Sequence, residues 1–222
     1  FAHLRVASGF SLRYGTATPE ALVARAAEHG QRWLALTDRD GLYGAVRHVR
    51  AAAEAGIDPL LGVDLAVRPA GRGPGAGPGP GSGATRPART PVRGGASVDP
   101  RHPRVTVLAR GAGAGVPHGL GWARLCRLVS EAHLVGERGE ADVDAATIAR
   151  HARGPEGERS PLLVLLGPDS DVGRALRARR PDEAMARLRR WVGLLGRDGV
   201  TVEVVDHGGP AGTPASTGHA AS

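Results

Sequence analysis

Three carboxylates in the first third of the chain, Asp38, Asp40 and Asp64, fall at or just past the ends of short apolar runs. The runs "WLALTD" (33–38) and "PLLGVDLAV" (59–67) read as consecutive strands. In open α/β sheets and barrels, ligand sites collect at the carboxyl ends of parallel strands. Three acids placed there have the chemistry to hold a hard divalent cation weakly, through oxygen ligands. A simpler use is helix capping, and either Asp38 or Asp40 is expected to cap the helix that begins near Gly41. The nine histidines are dispersed rather than set at the short spacings of a metal site. His29 and His48 are expected on helix surfaces, His102 and His118 in loops, His151 near a helix end and His219 in the tail. His133 is expected to be half-buried and hydrogen-bonded, which leaves His3 as the histidine on a core strand.

Other chemistries lack their residues. The glycines at 111, 113, 115, 119 and 121 follow a strand and precede a helix, but they do not complete G-x-G-x-x-G. No phosphate-binding Gly-Lys-Ser/Thr and no G-x-S-x-G nucleophile turn occurs. The single cysteine, Cys126, lies among Leu125, Leu128 and Val129, so it reads as a structural thiol, and no internal disulfide can form.

The formal charge is +7, and all 29 basic residues are arginine. They are scattered except for a group at Arg177, Arg179, Arg180 and Arg187–Arg190, which leaves an acidic partner open. Ala, Gly, Arg and Pro dominate, as a GC-rich coding sequence would give, and this weakens a nucleic-acid reading of the charge. Aromatics make up 3% of the chain, so the core must be Leu, Val and Ala. No apolar run approaches the ~18 residues that span a bilayer, and a cytoplasmic protein is expected.

The elements that must position these residues alternate. "AHLRVA" (2–7) reads as a half-buried strand. "TPEALVARAAEHG" (18–30) reads as a helix capped by Thr18, with Pro19 in its first turn and Leu22, Val23, Ala26 and Ala27 buried. A second helix over 41–56 should bury Leu42, Val46 and Val49. Strand and helix repeats with short links predict parallel strands. Residues 68–103 are Pro/Gly-rich without periodicity and read as a disordered insertion. Beyond it, strands are predicted at 104–110, 161–167 and 200–206, with helices at 122–134, 142–152 and 181–196 and a shorter one before the last. The chain thus divides into a first half (1–67), the insertion (68–103), a second half (104–207) and a flexible tail (208–222).

In this order, "HLRVASGFSLRYG", "PEALVARAAEHG", "LALTDRDGLYGAVR", "GIDPLLGVDL", "VTVLAR", "LCRLVSEAHL" and "VEVVDHGGP" resemble one family. It is the polymerase-and-histidinol-phosphatase (PHP) domain found at the N-terminus of bacterial C-family DNA polymerases, the DNA polymerase III alpha subunit and its error-prone relative. The resemblance implies a distorted seven-stranded β/α barrel, and the six strands read above suggest that the barrel is incomplete. It also implies up to three divalent metals (Zn, Mn or Mg) on His, Asp and Glu, serving phosphoester hydrolysis such as 3′–5′ exonuclease proofreading.

Carried over residue by residue, that ligand set is eroded. In the first motif, His-x-His-x-His-Ser, His3 is kept but Arg5 and Ala7 stand at the other two ligand positions. Tyr14 replaces the following Asp, Arg39 replaces the His after Thr-Asp, and Arg104 replaces the His that opens the fourth core strand. Asp64 stands where the third motif has Glu, and it is a residual ligand position insufficient alone; Asp38 is a possible second. The family's closing Asp-x-His pair would come after a further helix and strand, so Asp206 and His207 are not it. This, with the missing initiator Met, suggests a fragment.

The expectation is a degenerate PHP domain without cofactor or catalysis. Arginine–carboxylate pairs among Arg5, Arg39, Arg104, Asp38 and Asp64 would replace the metal charge. Its role would be structural, or interaction with a polymerase body, with replication or mutagenesis proteins, or with DNA. The alternatives are an active metal-dependent phosphoesterase and a basic nucleic-acid-binding module.

Overall fold

The computed structural model describes residues 1–69, 102–135, 141–154 and 158–205. Most of the expected insertion (70–101) and all of the expected tail (208–222) therefore lie outside the described residues.

The first helix, α1 (Pro19–Glu28), forms as its punctuation dictates. The Thr18 side chain accepts a hydrogen bond from the Ala21 N–H, and the chain leaves the helix at Gly30 with φ of 64°. It buries Val23 and Ala26, while Ala27 is exposed. Strand β1 (Trp33–Leu36) follows, then α2 (Ala45–Ala55) and the long β2 (Asp58–Arg68). The face of α2 differs from expectation. Val46 and Val49 are exposed, and the buried face is Ala45, His48 and Ala52. Small side chains let α2 lie close to β1, near enough for the His48 imidazole to sit 3.1 Å from the Leu34 carbonyl oxygen.

Beyond the insertion come β3 (Arg104–Ala109), α3 (Leu120–Val135), β4 (Asp142–Asp144), α4 (Ala145–Ala152), β5 (Leu162–Leu166), α5 (Asp171–Arg177), α6 (Pro181–Leu195) and β6 (Val200–Val202). The helix predicted over 142–152 is thus a short strand and a helix. Asp144 divides them by accepting from the Thr147 N–H at 2.7 Å. The expected strand at 2–7 is reduced to one bridge, His3 with Leu34, and two backbone bonds, from Ala35 N–H to His3 O and from Thr37 N–H to Val6 O.

The six strands form one mixed sheet in the order β1-β2-β3-β5-β6, with β4 also paired to β2, and no closure into a barrel occurs among the described residues. β1 and β4 run parallel to β2, and β6 runs parallel to β5. The parallel pairing expected of the first third is thus present between β1 and β2, while β3, beyond the insertion, is antiparallel to both β2 and β5. A strand apolar on both faces carries no mark of its direction, so the sequence pattern could not decide this.

Side chains alternate across the sheet. Val63, Leu65 and Val67 of β2, Val105 and Val107 of β3, and Leu162, Val164 and Leu166 of β5 enter the main core. Leu125 and Leu128 of α3, Ile148 of α4 and Trp191 of α6 close over them. A smaller core joins Val23, Ala26, Leu34, Ala52 and Ile57. The other face of the sheet carries Gly62 and Asp64 of β2 with Arg104, Thr106 and Leu108 of β3. At Gly62 a Cβ would stand 2.6 Å from Leu108 Cδ2 and 2.7 Å from Val107 O, so β2 and β3 meet there only without a side chain. No helix among the described residues is long and apolar enough to cross a membrane.

Candidate functional site

The backbone ladder brings the three expected carboxylates together. Past the end of β1 the chain continues beside β2. Asp64 N–H donates to Asp38 O at 3.0 Å and Asp40 N–H to Asp64 O at 2.9 Å, with Arg39 bridged to Asp64. Asp40 then turns the chain with φ of 56°, a left-handed conformation that Asp tolerates better than most residues. Neither Asp38 nor Asp40 caps α2, whose N-cap is Gly44 with no side-chain bond. The expected capping is therefore corrected: both carboxylates have partners elsewhere.

Asp38 is 2% exposed and is held by the loop that follows the first segment. Its Oδ1 accepts from the Ser8 N–H at 2.7 Å and from the Ser11 hydroxyl at 2.6 Å, and the Ser8 hydroxyl bridges both oxygens at 3.0 and 2.8 Å. The Ser11 hydroxyl in turn accepts from the Arg39 N–H at 2.9 Å. Ser8 and Ser11 are both buried. Neither figured among the expected site residues, although Ser8 aligns with the serine that ends the first family motif.

Arg104 begins β3, paired with Ala66, and its side chain crosses to β2. Its Nε donates to Asp64 Oδ1, while Nη2 reaches Asp40 Oδ1 at 2.6 Å and Asp64 O at 2.7 Å. The residue is 4% exposed. Burial opposes its charge, but Asp64 and Asp40 more than offset this and hold the guanidinium pKa above its ordinary value.

The remaining expected positions have other neighbours. Arg5 Nη1 lies 3.6 Å from Glu203 Oε2, just past β6. Burial pushes the Glu203 carboxyl above its ordinary pKa; Arg5 opposes the shift, and Asp64 and Asp169 add to it. Glu203 is a third residue that the sequence reading missed: it falls inside the strand predicted over 200–206, which in the structure ends at Val202. The Arg39 guanidinium stacks on the Tyr14 ring. Ala7 is half-buried and offers no ligand atom in its side chain. His3 is exposed, packed edge-on against Phe1.

Arginine–carboxylate pairing is thus present at this end of the sheet, and the Arg104–Asp64 pair is one of those expected, whereas Arg5 and Asp38 have other partners. Arg104 takes Asp64, Arg5 takes Glu203, and Asp38 is held by serines. Of the other histidines, His133 is exposed and contacts Asp40 O, while His48 and His151 are buried. His151 pairs with Glu131 at 2.8 Å. Cys126 is half-buried, and burial raises its thiol pKa, as befits a structural thiol.

A family model described as "PHP domain" matches residues 3–207. The error-prone DNA polymerase of Mycolicibacterium paratuberculosis is 35% identical over 212 residues, covering 95% of this chain and 16% of that protein. The DNA polymerase III subunit alpha of Saccharopolyspora erythraea is 27% identical over 212 residues, covering 95% of this chain and 17% of that protein. The chain therefore spans about a sixth of the length of these relatives. Among solved structures, a protein assigned as a metal-dependent phosphoesterase from Bifidobacterium adolescentis aligns with a TM-score of 0.41 and 13% identity, covering 90% of this chain and 85% of that one.

Proposed function

The chain belongs to the PHP domain family, and from that premise we propose that it is a non-catalytic PHP domain whose guanidinium groups stand in for metal cations. Its role is structural or interactive, in support of a polymerase body that serves DNA replication or error-prone repair synthesis in the cytoplasm. The relatives, polymerases about six times as long as this stretch, support that context.

The observation that carries the proposal is Arg104, buried between Asp64 and Asp40. Asp64 is the acid that the family pattern would use as an oxygen ligand, and it is already neutralised by a fixed positive charge. An Arg cannot lose its proton to become a ligand, and it repels a cation. Asp38 is equally committed, because the lone pairs it would offer accept from Ser8 and Ser11. This donor set does not fit a divalent metal.

The test is metal content and metal titration of the purified protein. Incubation with Zn, Mn or Mg followed by desalting should leave far less than one equivalent, and no release of nucleotide from a 3′-labelled single strand should follow. One tightly held equivalent that disappears in Asp64→Asn, or hydrolysis that disappears with it, would overturn the reading and restore the phosphoesterase alternative.

A further inference from the structure

The outer face of α2 carries apolar side chains that nothing covers. Periodicity in the sequence expects Val46 and Val49 inside, and the structure leaves both exposed, Val46 at 71%. Tyr43, just before the helix, is 68% exposed. The loop over 8–15 continues this surface with Phe10, Leu12 and Tyr14, all exposed, Leu12 at 79%. Phe10 joins the two parts. Its Cδ2 would lie 3.2 Å from a Cβ at Gly44, and the Arg47 guanidinium carbon sits 5.8 Å from its ring centroid. An apolar patch of this extent, rimmed by polar groups, marks an interaction surface.

The loop is fixed in advance. Gly9 N–H donates to Ala17 O at 2.7 Å, and Tyr14 and Gly15 N–H donate to Ser11 O at 2.9 and 3.0 Å. The Ser11 hydroxyl is anchored on the buried Asp38, and a Cβ at Gly15 would collide with Ser8 O. A surface already ordered loses little freedom on binding.

The rim is basic. Arg13 and Arg50 are exposed, and neither has an acidic partner among the described residues. Arg39 stacks on Tyr14, and Glu20 takes Arg47 through two bonds of 2.6 and 2.9 Å. The acids within 39–55 are Asp40, engaged by Arg104, and Glu54, at the far end of α2. Such a rim selects an acidic partner. A second copy offering the same face would set arginine against arginine. A single strand of nucleic acid stacks its bases on aromatic faces, and here guanidinium groups already stand over Tyr14 and Phe10. Ring edges and aliphatic surface remain, which suit apolar side chains.

We propose that this face docks an acidic peptide segment of a partner protein, anchored by apolar side chains on Leu12, Tyr43 and Val46. The inference rests on the interactive role proposed above but not on loss of the metal. Metal bound at Asp64 would end the earlier reading and leave this one standing.

Fluorescence anisotropy tests it, with the whole chain in EDTA at physiological ionic strength. The probe is a labelled synthetic peptide that sets Leu and Phe among Asp and Glu. The comparisons are the same peptide with Lys for each acid, and oligothymidylate. The expected result is saturable binding of the acidic peptide and none of the basic one. Leu12→Ser and Val46→Ser alter exposed positions, and each should weaken binding about fivefold or more with an unchanged melting temperature. Arg50→Glu should weaken it about tenfold. Arg189→Glu, on the exposed side of α6, should change it by less than about twofold. No saturation at millimolar acidic peptide, equal binding of the basic peptide, unchanged affinity in both serine variants, or displacement of the peptide by oligothymidylate would each overturn the proposal. So would self-association of the free protein that Leu12→Ser abolishes, read by sedimentation.

Discussion

The Arg39 guanidinium carbon lies 3.8 Å from the centroid of the Tyr14 ring. Both residues occupy positions where the family pattern has metal ligands, and here they hold each other. A cation–π contact of this kind at a partly exposed site contributes about 0.5–1 kcal/mol. Tyr14→Ala should lower stability by roughly that amount and Tyr14→Phe by much less, read from urea midpoints. Equal losses in the two variants would show that the ring face is not what matters.

Arg104→Leu should be far more costly. It leaves Asp64 and Asp40 facing a buried apolar group, and breaking a buried pair from one side typically costs about 3–5 kcal/mol. For a chain of this size, the melting temperature should fall by roughly 6–12 °C even at the lower end of that range. Adding Asp64→Leu should recover part of the loss, because both charges then leave together.

Asp38 should prove to be a structural anchor. Ser11→Ala removes one hydrogen bond to a buried carboxylate and should cost about 1.5–3 kcal/mol. Asp38→Ala should cost more, since it strands both hydroxyls and the Ser8 N–H at once. Equilibrium denaturation of the two variants checks the order.

Stability should fall as the solution is acidified below about pH 6.5, in part through His48. Burial is the largest cause of its lowered pKa; bonding to Leu34 O and the nearby Asp38 charge oppose it. The native state thus keeps the imidazole neutral where the unfolded chain takes up a proton. The unfolded state binds more protons there, so stability rises with pH and the contribution is lost as pH falls through that window. His48→Gln should flatten this part of the profile, measured by chemical denaturation between pH 5 and 8.

Glu203 works in the opposite direction. Its carboxyl pKa is raised by burial, so the native state holds a proton that the unfolded chain has already released. Stability should decline as pH rises from about 4.5 through the folded value. Glu203→Gln should remove that decline and leave the protein as stable or slightly more stable at neutral pH, again by denaturant midpoint.

The parts of the fold that were legible in the sequence are those marked by stereochemistry. Thr18, Pro19 and Gly30 fixed the limits of α1 because a cap, a locked φ and a positive φ each have few substitutes. The face of α2 was not legible, because periodicity favours the largest apolar residues. Close packing on β1 selects Ala45, Ala52 and a hydrogen-bonded His48 instead. The direction of β3 was hidden for a related reason: its buried run reads the same in both senses. At the site, the end of β1 located Asp38, whereas Asp64 lies inside β2 and not at its end as expected, and the partners of both come from distant segments. Arg104 is 40 residues from Asp64, and Ser8 is 30 from Asp38. No local spacing encodes such pairs, and Glu203 entered only because the sheet brings β6 alongside β5.

The hydrogen bond from Val67 N–H to Pro103 O, at 2.8 Å, ties together the two points where the long Pro/Gly-rich stretch leaves and rejoins the sheet. That doorway is fastened from the sheet side, by a backbone bond that does not depend on how many residues lie between its two ends. The strands on either side are insulated from the length of that stretch, and residues can be gained or lost there in evolution without shifting the register that sets Arg104 against Asp64.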